Sequence, residues 1–582
     1  MGAAPGTGPG GVMGEALLPE RGAYAACAGA REGVRVGVRP TAAPSGRALV
    51  RAAGGTAVLT AAGAVLGLVR DQAVARLFGA GPESDAFLVA WTVPEVAATV
   101  LIEDAMALVM VPAFSGVLAR GGEVRALVRS TLPRLLAVLA VLTAALAAGA
   151  PVVVRALAPG LADPATAVAC ARLTAVTVLT FGLAGYLSAA LRAHGRYLPP
   201  AAIYVAYNLG ILATLQTLHG RWGVRTAAAG VAVGGALMVV VQLPAVAAEM
   251  RVRARRAAPP VVAPVRAPAV ARDLPAHATL PAQPPPPAPD LPGAPTQRFL
   301  ALLAPVLLFT LGRQAQVLVE RFFAAPLSAG AISHLNYAQK VAQLPMALSL
   351  MTCAVTFPAM SRALAAGKRE QARRRVERDL TLACVVVLLG TAYLIACAPQ
   401  IVATLFQRGR FDAADTAATA AVMRVYALGL LGQSLVGALI RPYFSAGRPT
   451  WGPAAAMGVG LLVTGAVDAA VAGTWGVYGI AAGNAAGITV TAALLLRGLG
   501  SHGVAPRARA LAARLGLLLL AAAAATGAGW ALAERIDGAP TSAAACALAV
   551  PAVFAGITGT AAAVRTTAGR ASARHRETEP LP

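Results

Sequence analysis

Apolar residues fill long runs along this chain, and a run of about 20 residues is enough to cross a bilayer as a helix. Fourteen runs qualify, at residues 53–76, 85–115, 131–157, 166–191, 198–218, 224–248, 299–323, 331–360, 379–404, 414–446, 451–473, 475–497, 508–533 and 541–564. The pattern predicts an all-α polytopic membrane protein. Its polar connections alternate in charge. With the N-terminus inside, inner connections carry Arg120, Arg125, Arg129 and Arg134, then Arg192 and Arg196, Arg251 to Arg256, Arg362 to Arg378, and Arg507 to Arg514. Outer connections carry only scattered cations such as Arg155, Arg221, Arg408 and Arg535. That bias is the positive-inside rule, and it predicts cytoplasmic termini at both ends.

Three stretches fall outside the runs. Residues 1–50, rich in Gly, Ala, Pro and Arg and lacking a leading apolar core, read as a disordered cytoplasmic tail rather than a secretory signal. Residues 249–297 pass from an arginine cluster into PAQPPPPAPDLPGAP and read as a cytoplasmic linker, because proline removes backbone donors and large apolar groups are scarce. It is either a solvated spacer or a contact for anionic lipid or a proline-binding partner. Residues 567–582 read as a second tail. The expected organisation is a six-helix lobe over 51–248, the linker, a second six-helix lobe over 298–500, and two further helices within 501–566.

The two lobes carry a trace of duplication. A shift of 245 residues lays Leu66 and Gly67 on Leu311 and Gly312, Arg76 on Arg321, and Phe78 on Phe323. Further on, at a shift of 246, Val111-Pro112-Ala113-Phe114-Ser115 matches Phe357-Pro358-Ala359-Met360-Ser361. Internal repeats with charged residues near their interface are a signature of secondary transporters.

Composition narrows the class further. Of 582 residues 57% are hydrophobic and 13% charged, with mean hydropathy +0.67, against about 25% charged in a soluble domain. The net charge of +24 would suggest nucleic acid in a soluble protein, but the arginines lie between apolar runs and no basic-aromatic module accompanies them. Cys27, Cys170, Cys353, Cys384, Cys397 and Cys546 form no CxxC pair, and the histidines form no HxxxH cluster. No disulfide, metal site or cofactor is expected.

The charges inside apolar runs are the candidate chemistry, since an ionised group at bilayer depth costs several kcal/mol and faces a cavity or a partner. Arg70 and Asp71 read either as an intramembrane cation with its balancing carboxylate, or as an interfacial pair snorkelling at a helix end beside Arg76. Glu103 and Asp104 sit too deep for short side chains to snorkel, which favours a cavity-facing role over a bond to a neighbouring helix. Asp85 stands at the connection between the first two runs. Lys340 precedes Pro345 and reaches either a cavity or an interface. Arg313 is a further deep cation, and Glu320 and Arg321 are adjacent enough to pair. Pro94, Pro112, Pro345 and Pro358 break helical hydrogen bonds at matching points of the two halves.

LGLVRDQAVARLFGAGPESDAFLVAWTVPE at 66–95 and VERFFAAPLSAGAISHLNYAQKVAQLP at 319–345 resemble the MurJ (MviN) lipid II flippases of the multidrug/oligosaccharidyl-lipid/polysaccharide exporter superfamily. FPAMSRALAAG at 357–367 and LFQRGRFDAADTAATAAVMRVYALGLLGQSL at 405–435 extend the resemblance over both halves. It implies a non-enzymatic protein of the bacterial cytoplasmic membrane. Such a protein moves an undecaprenyl-pyrophosphate-linked peptidoglycan precursor by alternating access of its two lobes, with helices 13 and 14 forming a groove for the lipid tail. Membrane lipids, and cell-wall synthesis proteins through the tails or linker, are the implied partners.

By motif, Arg70, Asp71, Asp85 and Glu103 match polar positions of the family's first two helices, and Lys340 falls where the family usually has arginine. The expected substrate-binding residues are Arg70, Lys340 and Arg313. Asp71, Asp85 and Glu103 are the expected gating or ion-coupling residues. The chain departs from the family at Ala64, Ala98 and Thr99, where arginines are common, so its cavity would hold fewer cations. Export of another lipid-linked oligosaccharide or of a small cationic compound is the alternative on the same fold. A membrane glycosyltransferase would need acidic pairs in a large outer loop, and a scaffold would work through the linker and tails.

Overall fold

The computed structural model describes residues 46–120, 124–257, 295–365, 369–445, 450–499 and 507–577. Residues up to Arg51 fall in a unit of their own, of which only the opening of the first helix is described; every other described element belongs to the second unit. The first half runs through α1 (Gly46–Phe78), α2 (Pro82–Ala97), a π-helical stretch (Ala98–Met110), α3 (Val111–Ala119), α4 (Val124–Leu157), α5 (Pro164–Thr174), α6 (Val176–Ala193), α7 (Leu198–Trp222), α8 (Arg225–Val240) and α9 (Leu243–Ala257). The second half comprises α10 (Pro295–Ala324), α11 (Ala331–Ala365), α12 (Arg369–Ala396), α13 (Ala398–Phe406), α14 (Ala413–Ser445), α15 (Gly452–Trp475) and α16 (Val477–Gly498), then α17 (Ala508–Ala533) and α18 (Ala539–Glu577). No strand occurs among the described residues.

Among the described residues, twelve segments are long and apolar enough to span a membrane, some of them two consecutive helices. With α10 and α11, which are 30 and 35 residues long, they make the fourteen spans that the apolar pattern predicts.

The halves pack alike. α7 and α8 form a close hairpin, as α15 and α16 do. α2 packs on α5 as α11 packs on α14, and α1 lies along α7 as α10 lies along α15. α17 and α18 pair with each other and lean on α12 and α13 of the second half. Small residues permit these close approaches: a Cβ on Gly234 would meet Tyr207, and one on Gly429 would meet Ala485.

Two spans bend for the same reason. Pro94 lacks the N–H that would bond the carbonyl of Ala90, and the Thr174 hydroxyl reaches that carbonyl instead, at 3.3 Å, sharing its one hydrogen with the Ala171 carbonyl at 3.2 Å. Just beyond it the backbone widens into the π-helical stretch. Pro399 likewise leaves the carbonyl of Ile395 to the Arg424 Nε donor, at 3.1 Å, and the span expected over 379–404 breaks at Cys397 into α12 and α13. Freed carbonyls inside a membrane are re-satisfied by neighbouring helices in this way.

Two further boundaries differ from expectation. α9 continues to Ala257, past the expected start of the linker at 249, because Arg and Ala sustain a helix until Pro259 and Pro260. α18 runs on to Glu577, through most of the expected tail at 567–582. The rest of the linker, residues 258–294, lies outside the described residues, as do 1–45 of the first tail and 578–582 of the second.

The candidate site between the halves

All odd-numbered spans run in one direction, so the turns after α1, α4 and α10 and the segment joining α13 to α14 gather at one face. Four glycines with positive φ make the close approaches between halves there: Gly79, Gly160, Gly330 and Gly409. A Cβ on Gly79 would stand 2.7 Å from the Arg410 carbonyl oxygen, one on Gly330 would stand 2.9 Å from that of Ala80, and one on Gly160 would press on Pro326. Polar links reinforce the contact. The Arg410 amide donates to the Arg76 carbonyl at 2.9 Å, the Ala80 amide to Asp415 at 3.3 Å, and Arg410 lies 3.8 Å from Glu83.

Asp85 is the strongest of these links. Its carboxylate is buried in α2 and accepts from the amides of Gly330 and Ser333 at 2.7 and 2.8 Å, and from the Ser333 hydroxyl at 2.6 Å. Those amides open α11, so a carboxylate of the first half caps a helix of the second, where exposed N–H groups and the helix dipole favour negative charge. Asp85 and Gly330 are 245 residues apart, the shift that aligns the repeats. Equivalent segments of the two halves therefore face one another across a pseudo-two-fold relation.

Deeper in, α1, α2, α7 and α11 bring Arg70, Asp71 and Lys340 together. Arg70 donates through Nε and Nη2 to Asp71 Oδ1 at 3.0 and 2.7 Å, and through Nη1 to Asn208 Oδ1 at 3.0 Å. Its guanidinium carbon lies 4.5 Å from the centroid of the Trp91 ring. Asn208 is fixed in turn by its own donation to the carbonyls of Gly63 and Tyr204, at 3.0 and 2.9 Å. Lys340 Nζ is 3.9 Å from Asp71 Oδ2 and 6.0 Å from the Trp91 ring. Asp71 thus stands between a cation of its own half and one of the other. The space among these side chains is about 10 Å³, roughly room for one water, and Phe87, Asn336 and Tyr337 also line it. The triad leaves one net positive charge next to a planar aromatic face, which suits an oxyanion that displaces Asp71.

The remaining candidates lie apart from this triad. Glu103, exposed on the π-helical stretch, accepts from the Tyr204 hydroxyl at 2.9 Å, and the side chain of Asp104 lies outside the described residues. Arg313 sits on an exposed part of α10. Glu320 and Arg321 do not pair. Arg321 donates to the carbonyl of Ile332 and to Asn336, both at 3.1 Å. Glu320 accepts from the Tyr426 hydroxyl at 2.8 Å and from the amide of Asn484. Asp468 is wholly buried on α15, and both its carboxylate oxygens lack hydrogen-bond partners among the described residues. Sequence reasoning missed Asn208, Trp91, Tyr426 and Asn484, since an isolated polar or aromatic residue in an apolar helix carries no periodic signal.

A separate apolar cavity of about 770 Å³ opens along the seam of the two halves, between Val96 and Val100, Leu146 and Val153 of α4, and Leu318 and Phe322 of α10.

Comparison with known proteins bears on the whole assembly. A Burkholderia cenocepacia protein named Lipid II flippase MurJ is 26% identical over 392 residues, 66% of this chain and 70% of its own. A Rhizobium meliloti protein named Probable lipid II flippase MurJ is 26% identical over 475 residues, 79% of this chain and 82% of its own. Among solved structures, Lipid II flippase MurJ in an inward closed conformation superposes with TM-score 0.67 at 16% identity, covering 87% of this chain and 98% of that one. An inward-facing multidrug resistance MATE family transporter of the MOP superfamily superposes at 0.56, with 14% identity over 76% of this chain and 95% of its own. The sequence matches the family described as Lipid II flippase MurJ across residues 74–546, and with the two halves packed as repeats about an inter-half triad, the chain belongs to that family.

Proposed function

We propose that this protein is a flippase that carries lipid II, an undecaprenyl-pyrophosphate-linked peptidoglycan precursor, across the cytoplasmic membrane by alternating access. The observation that carries the reading is the Arg70–Asp71–Lys340 triad at the seam of two repeated halves, in a chain of the lipid II flippase MurJ family. A pyrophosphate presents several anionic oxygens. It would draw Arg70 and Lys340 away from Asp71, so that cargo replaces the link that Asp71 makes between the halves. Arg70 supplies the planar, multi-donor grip, and Lys340 the more adaptable point charge from the other half. Asp71 holds the cations in place when no cargo is bound, and Asp85 governs the closed face. Glu103 and Arg313 lie outside the triad and would act at cargo entry.

No bond of the cargo is made or broken in this scheme, so the protein works as a transporter and not as an enzyme. The arginine distribution supports cytoplasmic termini at both ends and a closed face toward the cell exterior. A polyprenyl tail suits the apolar seam, and the tails and linker are left to cell-wall synthesis partners.

The test is complementation of a flippase-depleted bacterium, together with lipid II transport in vesicles. Wild type restores growth and transport, while Arg70→Ala with Lys340→Ala does neither at equal membrane abundance. Rescue by the double variant equal to wild type would overturn the assignment of the triad.

A further inference from the structure

A second charged cleft lies apart from the triad, at the closed face. It has a volume of about 370 Å³ and is walled by α1, α7 and the end of α13. Arg76, His219 and Arg408 reach it from these three elements, Gln72 and Gln216 stand beside them, and Leu212 and Leu405 contribute to an aliphatic lining. Among the described residues that line it none is acidic.

The two arginines and the histidine are only partly accounted for by the fold. Arg408 donates to the Thr404 carbonyl at 2.9 Å through one nitrogen. His219 Nδ1 lies 2.9 Å from the Leu215 carbonyl, which leaves Nε2 for the cleft. The side chains of Arg76, Gln72 and Gln216 make no hydrogen bond or ion pair with any described residue. A helix C-terminus accounts for one basic side chain each, but not for two arginines and a histidine from separate elements meeting over one aliphatic lining.

The surroundings fix the depth. Exposed Trp222, three residues beyond His219, lies at the same face as exposed Trp475, Tyr478 and Trp530, at the ends of α7, α15 and α17 and the start of α16. Such aromatic rings mark the level of lipid head groups. A cleft at that level that sets two arginines beside aliphatic side chains matches an anionic amphiphile.

We propose that this cleft binds the phosphate head group of an anionic glycerophospholipid, with its acyl chains along the aliphatic lining. Arg76 belongs to the first half and Arg408 to the second, and their segments are joined by the Arg410-to-Arg76 backbone bond. One phosphate held by both arginines braces the halves together at this face, so lipid binding favours the state closed here. The site is distinct from the cargo triad and does not depend on what the cargo is.

Native mass spectrometry of the full-length protein, incubated with equal amounts of phosphatidylglycerol and phosphatidylcholine, tests this. Wild type is expected to retain phosphatidylglycerol at least about fivefold over phosphatidylcholine. Arg76→Gln with Arg408→Gln reduces the preference to within about twofold, while Arg76→Lys with Arg408→Lys keeps most of it. An exposed pair on the same face outside the cleft, Arg155→Gln with Arg535→Gln, leaves it unchanged. His219→Ala with Gln216→Leu gives a second reading that spares both arginines and should weaken the preference at least twofold. Equal loss in the Arg155 and Arg535 control would mean general surface charge and overturn the proposal. So would displacement of phosphatidylglycerol by millimolar inorganic phosphate, which would mark an ion site, or by a polyprenyl pyrophosphate alone, which would mark a cargo station.

Discussion

Arg70 makes three hydrogen bonds and a ring contact at once, which only a planar guanidinium can do, whereas Lys340 makes a single long contact to Asp71. The two cations should therefore respond differently to exchange. Arg70→Lys is expected to lower lipid II transport at least about tenfold, because an ammonium cannot hold Asp71, Asn208 and an incoming phosphate together. Lys340→Arg, by contrast, retains wild-type transport or exceeds it. Both outcomes are read in the same vesicle assay. Glu320 poses a question of stability. It satisfies the Tyr426 hydroxyl and the Asn484 amide in a buried place, so Glu320→Ala strands two donors and should cost roughly 2–3 kcal/mol in denaturation of the purified protein. The triad was legible in the sequence because charge stands out in an apolar run. Its aromatic and amide supports were not, because one Trp or Asn per helix looks like any other packing residue. Glu103 shows the limit of a depth argument: a short carboxylate cannot snorkel, but the Tyr204 hydroxyl from α7 reaches it.

Among the elements, the prolines carry most of the individuality. The number of spans could be read from apolar run length alone, since bilayer thickness fixes that length. Where a span bends depends on what re-satisfies a freed carbonyl, and that partner is remote in sequence: Thr174 for Ala90, and Arg424 for Ile395. The break at Cys397 was invisible for this reason, although Pro399 was in plain view. A double-mutant cycle tests the pairing. Thr174→Val should cost about 1 kcal/mol in the wild type, where it orphans the Ala90 carbonyl. In a Pro94→Ala background the backbone N–H regained at that position serves the carbonyl, so the same change should cost about half as much or less. Equal costs in the two backgrounds would show that Thr174 contributes only packing. Pro94→Ala by itself should raise the melting temperature while lowering transport, since it straightens the span that leads into the π-helical stretch.

For the whole molecule, the sequence repeat is a weak match at a shift of 245, and its meaning lies in the contact between Asp85 and Gly330, which are offset by that number. The repeat does more than build two similar halves; it supplies the surface on which they close. Four positive-φ glycines make the approach possible, and one carboxylate secures it. If Asp85 is a latch, its loss should redistribute conformations and not simply unfold the protein. Asp85→Ala leaves the Gly330 and Ser333 amides without their acceptor in the closed state, whereas in the open state water can reach them. Losing charge-assisted bonds there amounts to a differential of about 3 kcal/mol, which shifts the balance toward opening at this face by roughly a hundredfold. Spin labels at Arg155 and Arg535, on opposite halves of that face, would report it as a longer distance population that wild type lacks. A variant whose melting temperature falls while the label distances stay as in wild type would make Asp85 a packing group. A variant that opens yet transports at the wild-type rate would show that closing this face is not a limiting step of the cycle.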